Sequence, residues 1–293
     1  MVYSLYNMEK HIFKFGGRSW AMVLPKAWVE ANGLSAERRL SVYEDDSGNL
    51  VVTAGSNANR EAELTIDSKV SPEVAGRWAG LYYRSGFKKL TVHSKSGSAD
   101  KQFQSIQEIA KSFCPGFEVM SRSNKAIVLA DFTEIREVTP DKILARLKSV
   151  IADELLQMGR GERAGIAYAE ESVNRFFTLG VRYANMTEGK SAVKYFDVFQ
   201  LLELVADEIY ELSKRPIAKG NLHVFDELGR ELELCLSALE GNYGALESAI
   251  EERDNIFRII AKGFDRLDVY LITEMVKNMV KVAEFCLGTG QKG

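Results

Sequence analysis

A group of basic residues near the N-terminus has types and spacing that suit one kind of chemistry. Lys10, Lys14, Arg18 and Lys26 stand in residues 10–26, a segment that contains no Asp or Glu. Lys and Arg side chains neutralise DNA phosphates, and these contacts supply most of the affinity that does not depend on base sequence. The planar guanidinium of Arg18 can also bind both acceptors of a guanine edge. The segment therefore predicts a DNA contact, with Arg18 as the candidate for reading a base.

Short strands and a tight turn are expected to position these side chains. Residues 11–15 alternate apolar and polar side chains, as a half-buried strand does. The Gly16-Gly17 pair predicts a turn, because glycine adopts positive φ without steric cost, and residues 20–24 predict the returning strand. Pro25 can stand in the first turn of a short helix over residues 26–31.

A second hairpin is predicted after this helix. Residues 40–43 and 50–53 flank Asp45-Asp46-Ser47-Gly48, a typical hairpin turn. This turn is acidic at Glu44, Asp45 and Asp46. We therefore expect it to point away from DNA.

The run GGRSWAMVLPKAWVEANGL, followed by a hairpin, resembles the AbrB/MazE-type (SpoVT-AbrB) swapped-hairpin DNA-binding domain. The resemblance implies that residues 1–55 form a small β domain whose hairpins interleave with those of a second chain, giving a homodimer. It also implies DNA contact from the first strand and turn. Matched by position, the implied DNA-binding residues are Lys10, Lys14, Gly17, Arg18, Ser19 and Lys26. The alternative is a domain used only for dimerisation, with its lysines solvated.

Composition limits the classes of function. The net charge of −3 and the pI of about 5.8 do not indicate a nucleic-acid binder, so any DNA contact must come from a local patch. Three widely spaced cysteines predict neither a disulfide framework nor a zinc site, and they fit a reducing cytoplasm. We expect no signal peptide and no membrane span. The three scattered histidines, and the lack of a phosphate loop or dinucleotide motif, indicate a protein that is not an enzyme.

The remaining sequence changes character twice. A polar linker at residues 55–59 precedes a region, residues 60–137, whose patterns predict a small α/β domain with the order β-α-β-α-β-β. Residues 140–288 predict six amphipathic helices with short glycine connections, arranged as two three-helix repeats around a break at Pro216. The predicted fold class is therefore multidomain α+β, with an all-α C-terminal bundle.

The duplicated three-helix plan resembles the PhoU family of phosphate-signalling proteins. The residues that carry the resemblance are Glu170 to Phe176, Phe199 to Asp207, and Glu251 to Asp254. An AbrB-like domain joined to a PhoU-like bundle resembles the archaeal phosphate uptake regulators.

The PhoU resemblance implies a divalent or iron-type metal at bundle carboxylates. Residues at i and i+4 share a helix face, so Glu203 and Asp207 can converge on one hard cation. Further candidates are Glu171, Glu251, Asp254 and Glu274. Asn174 and Asn278 stand where an Asp is expected, which weakens the metal assignment. The alternative for Glu203 and Asp207 is a solvated helix face or pairing with a neighbouring Lys or Arg.

Two functions follow from these features. The first is a cytoplasmic transcriptional regulator whose N-terminal domain binds DNA and whose helices sense a signal connected to phosphate. The second is a signalling adaptor, in which the helices dock on a phosphate transporter ATPase or a sensor protein and the N-terminal domain only dimerises.

Overall fold

The structure is a computed structural model that describes residues 10–32, 34, 40–44, 48, 50–53, 60–95, 99–132, 139–186 and 190–285. The chain divides into two compact units, Met1–Asn57 and Ala58–Gly293. The fold is mixed α+β, with short antiparallel hairpins in the first unit and a long helical region at the end of the second. The predicted linker at residues 55–59 and the acidic turn residues Asp45 and Asp46 lie outside the described residues.

The described ranges of the first unit include two antiparallel hairpins and a short helix. Its elements are β1 Ile12–Phe15, β2 Ser19–Met22, α1 Lys26–Ala31, β3 Ser41–Glu44 and β4 Leu50–Thr53. β1 pairs with β2, and β3 pairs with β4. Pro25 precedes the helix rather than standing in its first turn, and its carbonyl accepts a hydrogen bond from the Val29 amide at 3.0 Å. The fixed φ of Pro25 thus starts α1 where the sequence predicted.

The second unit begins with an α/β layer. Its elements are β5 Glu61–Ile66, α2 Pro72–Arg84, β6 Lys89–Ser94, α3 Asp100–Phe113, β7 Phe117–Arg122 and β8 Ala126–Asp131. The strands form one sheet in the order β5-β6-β8-β7, in which β5 and β6 are parallel and the other neighbours are antiparallel. α2 packs on α3, and buried side chains such as Phe103 and Phe117 fill the core beneath them. The element order is the predicted one.

Long helices make up the rest of the described chain. They are α4 Pro140–Arg160, α5 Ile166–Met186, α6 Lys190–Ser213, α7 Val224–Leu239, α8 Tyr243–Ile260 and α9 Arg266–Glu284. Each corresponds to a predicted helix, with small shifts at the ends. Within the described ranges, no helix is long and apolar enough to cross a membrane.

Local signals explain where these helices begin and end. The Thr139 hydroxyl accepts a hydrogen bond from the Lys142 amide at 3.3 Å, and Pro140 occupies the first turn of α4. Gly161 then ends α4 in the left-handed conformation, with φ of 73°. The Asp265 carboxylate caps α9 by accepting from two backbone amides at 2.9 Å.

The two halves of the helical region repeat one set of contacts. Helices α4, α5 and α6 pack against one another, and α7, α8 and α9 do the same. The halves meet where α4 packs on α7 and α6 packs on α9, around one apolar core. Gly180 permits the close approach of α5 to α6, because a Cβ there would lie 2.6 Å from the Phe199 ring. That these halves are PhoU repeats stays a prediction.

A buried arginine joins the α/β layer to the helices. Arg182 of α5 is fully buried, and its guanidinium donates to the carbonyls of Tyr83 and Phe87 and to the Asp131 carboxylate. Lys88 also pairs with Asp131, at 2.7 Å. The Arg182 guanidinium stacks 4.5 Å from the centroid of the Tyr83 ring. Residues 60–137 and residues 140–288 therefore belong to the same compact unit. Their division into two domains stays a prediction.

Candidate functional site

The first hairpin carries most of the residues predicted to contact DNA. Lys14 lies on β1 opposite Trp20 of β2. Gly16, with φ of 68°, opens the turn that presents Gly17 and Arg18, and the turn is sterically open around both glycines. Ser19 is the first residue of β2. The two remaining candidates, Lys10 and Lys26, lie before β1 and at the start of α1.

Both faces of this hairpin expose apolar side chains. The register places Ile12, Met22 and Trp20 on the face of Lys14, while Phe13 and Phe15 lie on the other face. Trp20 is 64% exposed and Phe15 is 69% exposed. Of the described side chains in the first unit, Leu34 alone is buried. A two-stranded hairpin is marginally stable in water by itself, and exposed apolar surface of this kind is typical of an interaction site.

The described charges around the hairpin leave Lys14 and Arg18 without an ion-pair partner. Lys26 pairs with Glu30 at 3.6 Å, but both side chains are well exposed, and such pairs contribute little to stability. No carboxylate among the described residues forms an ion pair with Lys14 or Arg18. A DNA phosphate can therefore approach these two residues without displacing an internal partner.

In the helical region, three carboxyl groups from α5 and α6 come together. We call Glu170, Glu203 and Asp207 the carboxylate cluster; Glu170 is buried, Glu203 is half-buried and Asp207 is exposed. Burial, together with a hydrogen bond to Asp207, raises the pKa of Glu170 to about 7. Burial also raises the pKa of Glu203 to about 7, aided by the Asp207 charge and opposed by Arg84. Carboxyl groups held this close must share a proton or a cation.

The two amides that stand where an Asp was expected each face a neighbouring glutamate. The Asn174 amide donates to the Glu170 carboxylate at 2.7 Å. The Asn278 amide of α9 donates to Glu208 of α6 at 3.4 Å. An Asp at either position would add a further negative charge beside a carboxyl group whose pKa is already raised. An amide at each position therefore has a local electrostatic reason.

The other predicted metal ligands are not gathered into a site. Glu171, Glu251 and Asp254 are exposed, and Glu274 pairs with Lys277 at 2.7 Å. Glu170, the neighbour of Glu171, is the residue that faces α6. In the part of the chain that the structure describes, no group of three His, Cys, Asp or Glu side chains is arranged to hold a metal ion. Metal binding therefore stays a prediction.

Sequence reasoning missed several buried carboxyl groups. Burial raises the pKa of Glu154 to about 9, and that of Glu208 and Glu231 to about 8. Helical spacing could have identified Glu154, because it follows Leu147 and Ile151 on the buried face of α4. At neutral pH these groups are mostly protonated.

No protein-family model, curated protein or solved structure matches this chain. Its function therefore has to be inferred from its own residues and contacts.

Proposed function

We propose that this protein is a DNA-binding transcriptional regulator linked to phosphate uptake, with a PhoU-like helical region as the sensor. The observation that carries the proposal is the first hairpin, which presents Lys14 and Arg18 next to an uncovered apolar surface. Cations without internal partners suit phosphate binding, and the open Gly16-Gly17 turn lets the backbone approach DNA closely. The link to phosphate rests on the resemblance to archaeal phosphate uptake regulators.

A second copy of this chain is the proposed cover for the apolar surface of the hairpin. The exposed side chains lie on both faces, so the covering surface has to enclose the hairpin rather than flank it. Interleaving with an identical hairpin achieves this, as the AbrB resemblance implies. The resulting two-fold symmetry would present two basic turns, which matches the paired half-sites that dimeric regulators bind.

The proposed sensor site is the carboxylate cluster. A divalent or iron-type cation prefers carboxylate oxygens, and one oxygen of Glu170 is buried without a hydrogen-bond partner among the described residues. Glu203 and Asp207 would hold the ion, with Glu170 beside them, and the ion would replace the shared protons with a stronger positive charge. The signal alters DNA binding only if the ion binds two dimer geometries with different affinities.

Metal content tests the sensor site. Replacing both Glu203 and Asp207 with Ala should remove bound metal, as measured by elemental analysis of the purified protein. The matched control replaces Glu162 and Glu247, two exposed acidic residues of the helical region that are not candidate ligands. Metal content equal to wild type in the first variant would eliminate the cluster as the binding site.

DNA binding tests the function itself. Replacing Lys14 and Arg18 with Ala should weaken DNA binding by about tenfold or more at low salt, because two phosphate or base contacts are lost. The matched control replaces Lys111 and Lys125, two exposed lysines of the α/β layer, and changes the net charge equally. Equal affinity of the hairpin variant and the control would contradict the proposed interface.

The second candidate is the adaptor, and the charge of the helical region favours it. Over residues 140–287 acidic residues outnumber basic ones by 25 to 19, which suits a basic protein partner and disfavours DNA contact there. In this case the hairpin serves only as a dimeriser. A dimer that binds no DNA would support the adaptor and would direct attention to a protein partner of the helices.

A further inference from the structure

A cleft lies between the α/β layer and the helices, and Glu203 of the carboxylate cluster forms part of its wall. Its volume is about 280 Å³. Arg77 and Arg84 of α2 line one side, and Asn174 and Glu203 line another. A cavity of about 150 Å³ already holds a benzene molecule, so this cleft has room for a six-membered ring with a charged group.

Arg84 lines this cleft, and the Glu203 carboxyl group lies near it. Arg84 is half-buried, and no described carboxylate forms an ion pair with it. Burial raises the pKa values of Glu203 and Cys114, and the nearby Arg84 charge opposes both increases. Arg77 pairs with Glu73 at 2.8 Å, but both side chains are about three-quarters exposed, so this pair can exchange partners at low cost.

The backbone around Arg84 is held in place by contacts from α5. The Asn185 amide donates to the Arg84 carbonyl at 3.0 Å. Arg182 donates to the carbonyls of Tyr83 and Phe87, and the Tyr83 hydroxyl donates to the Pro115 carbonyl at 2.8 Å. The end of α2 is therefore fixed before any ligand arrives, and a preorganised cation binds an anion with less entropic cost.

The rest of the cleft wall indicates the other half of a ligand. Ile109, Phe113 and Phe177 supply apolar surface, which suits a ring or a short hydrocarbon chain. An Arg guanidinium binds the two oxygens of a carboxylate or phosphate group through parallel hydrogen bonds. We propose that this cleft binds a small organic anion, whose carboxylate or phosphate group pairs with Arg84 and whose apolar part lies against Phe113 and Phe177. The proposal goes beyond the regulator function and stands whether or not the protein binds DNA.

Calorimetric titration of the full-length protein with simple probes tests this site. The probes are benzoate, phenyl phosphate, inorganic phosphate and the neutral benzyl alcohol. We expect benzoate or phenyl phosphate to bind more tightly than benzyl alcohol, which lacks the anion, and than inorganic phosphate, which lacks the apolar part. Benzoate and phenyl phosphate distinguish the two oxyanions. Failure of both to bind at millimolar concentration would overturn the proposal, as would equally tight binding of either comparison probe.

Variants assign the binding to Arg84. Arg84→Gln should weaken binding of the better probe by about tenfold or more, because a charge-assisted hydrogen bond is lost. Arg84→Lys keeps the charge and should bind with intermediate affinity. This variant still tests the site if the Gln variant is less stable. Arg266→Gln, at an exposed position at the start of α9, makes the same charge change and should bind as wild type does. Unchanged affinity in both Arg84 variants would overturn the assignment.

Discussion

Glu154 lies fully buried on α4, and neither of its carboxylate oxygens has a hydrogen-bond partner among the described residues. Burial is the largest cause of its raised pKa, and the charges of Glu170 and Asp153 add to it. A carboxyl group in such a place is tolerated because it keeps its proton. Glu170, Glu203, Glu208 and Glu231 show the same direction of shift.

Stability should therefore fall as the pH rises. The unfolded chain releases the Glu154 proton near pH 4.5, whereas the folded chain keeps it to about pH 9. The free energy of unfolding should decrease between these values, by on the order of a few kcal/mol from this residue. Glu154→Gln should reduce the slope and raise the melting temperature at pH 8. Thermal unfolding at pH 5, 7 and 8.5 measures the change of stability with pH, and Glu162→Gln, at an exposed position, is the control. The same dependence of stability on pH in both variants would contradict a buried, protonated Glu154.

Arg18 offers a second prediction at the residue scale, which separates phosphate contact from base reading. Arg18→Lys keeps the positive charge but loses the planar fork that binds a guanine edge. We expect this variant to bind random DNA about as well as wild type does, and to lose about 1–3 kcal/mol of preference for the specific site. Competition binding with specific and random DNA measures this. Retained preference would mean that Arg18 contacts only phosphates.

At the scale of elements, the sequence predicted the helices and strands well because local chemistry controls them. Ser71 and Pro72 start α2, Thr139 and Pro140 start α4, and the Ser71 and Thr139 hydroxyls each accept a backbone hydrogen bond. The contact between Arg182 and the carbonyls near Tyr83 joins residues far apart in the sequence, and no local pattern encodes it. The inward orientation of Glu170, rather than Glu171, depends on the rotation of α5 against α6. Hydrophobic periodicity fixes that rotation only approximately.

The Arg182 contact should hold the α/β layer and the helices together. Arg182→Ala should lower the free energy of unfolding by about 3–5 kcal/mol, because it leaves buried acceptors at Tyr83 and Phe87 without a donor and weakens the pairing of Asp131. Urea unfolding measures the change. Arg175→Ala, at an exposed position on the same helix, should change it by less than about 0.5 kcal/mol. Similar losses in the two variants would show that the contact contributes little.

At the scale of the whole molecule, the two units differ in how complete they are. The second unit has buried cores in its α/β layer and its helices, whereas the described part of the first unit buries one apolar side chain. The sequence indicated that the N-terminal domain lacks a core of its own, through its small size and its resemblance to swapped-hairpin domains. In our proposal, the surface that completes it belongs to a second copy of this chain.

The molar mass of the protein in solution tests whether a second copy covers the first hairpin. We expect light scattering to give the mass of a dimer or larger assembly. Trp20→Ser should shift the protein toward the monomer, since it removes a large apolar side chain from the proposed interface. Tyr168→Ser is the matched control, because Tyr168 is an aromatic residue with 76% exposure in the helical region. A wild-type monomer at micromolar concentration would contradict the interleaved hairpins.

DNA binding by the first hairpin can be measured with the purified protein. Purified full-length protein is titrated with the DNA upstream of its own gene and with random DNA, at about 50 mM and about 200 mM salt. The regulator proposal predicts tighter binding to the upstream DNA, and affinity for both DNAs that falls steeply as salt increases. Absence of binding to either DNA at the lower salt concentration would contradict it.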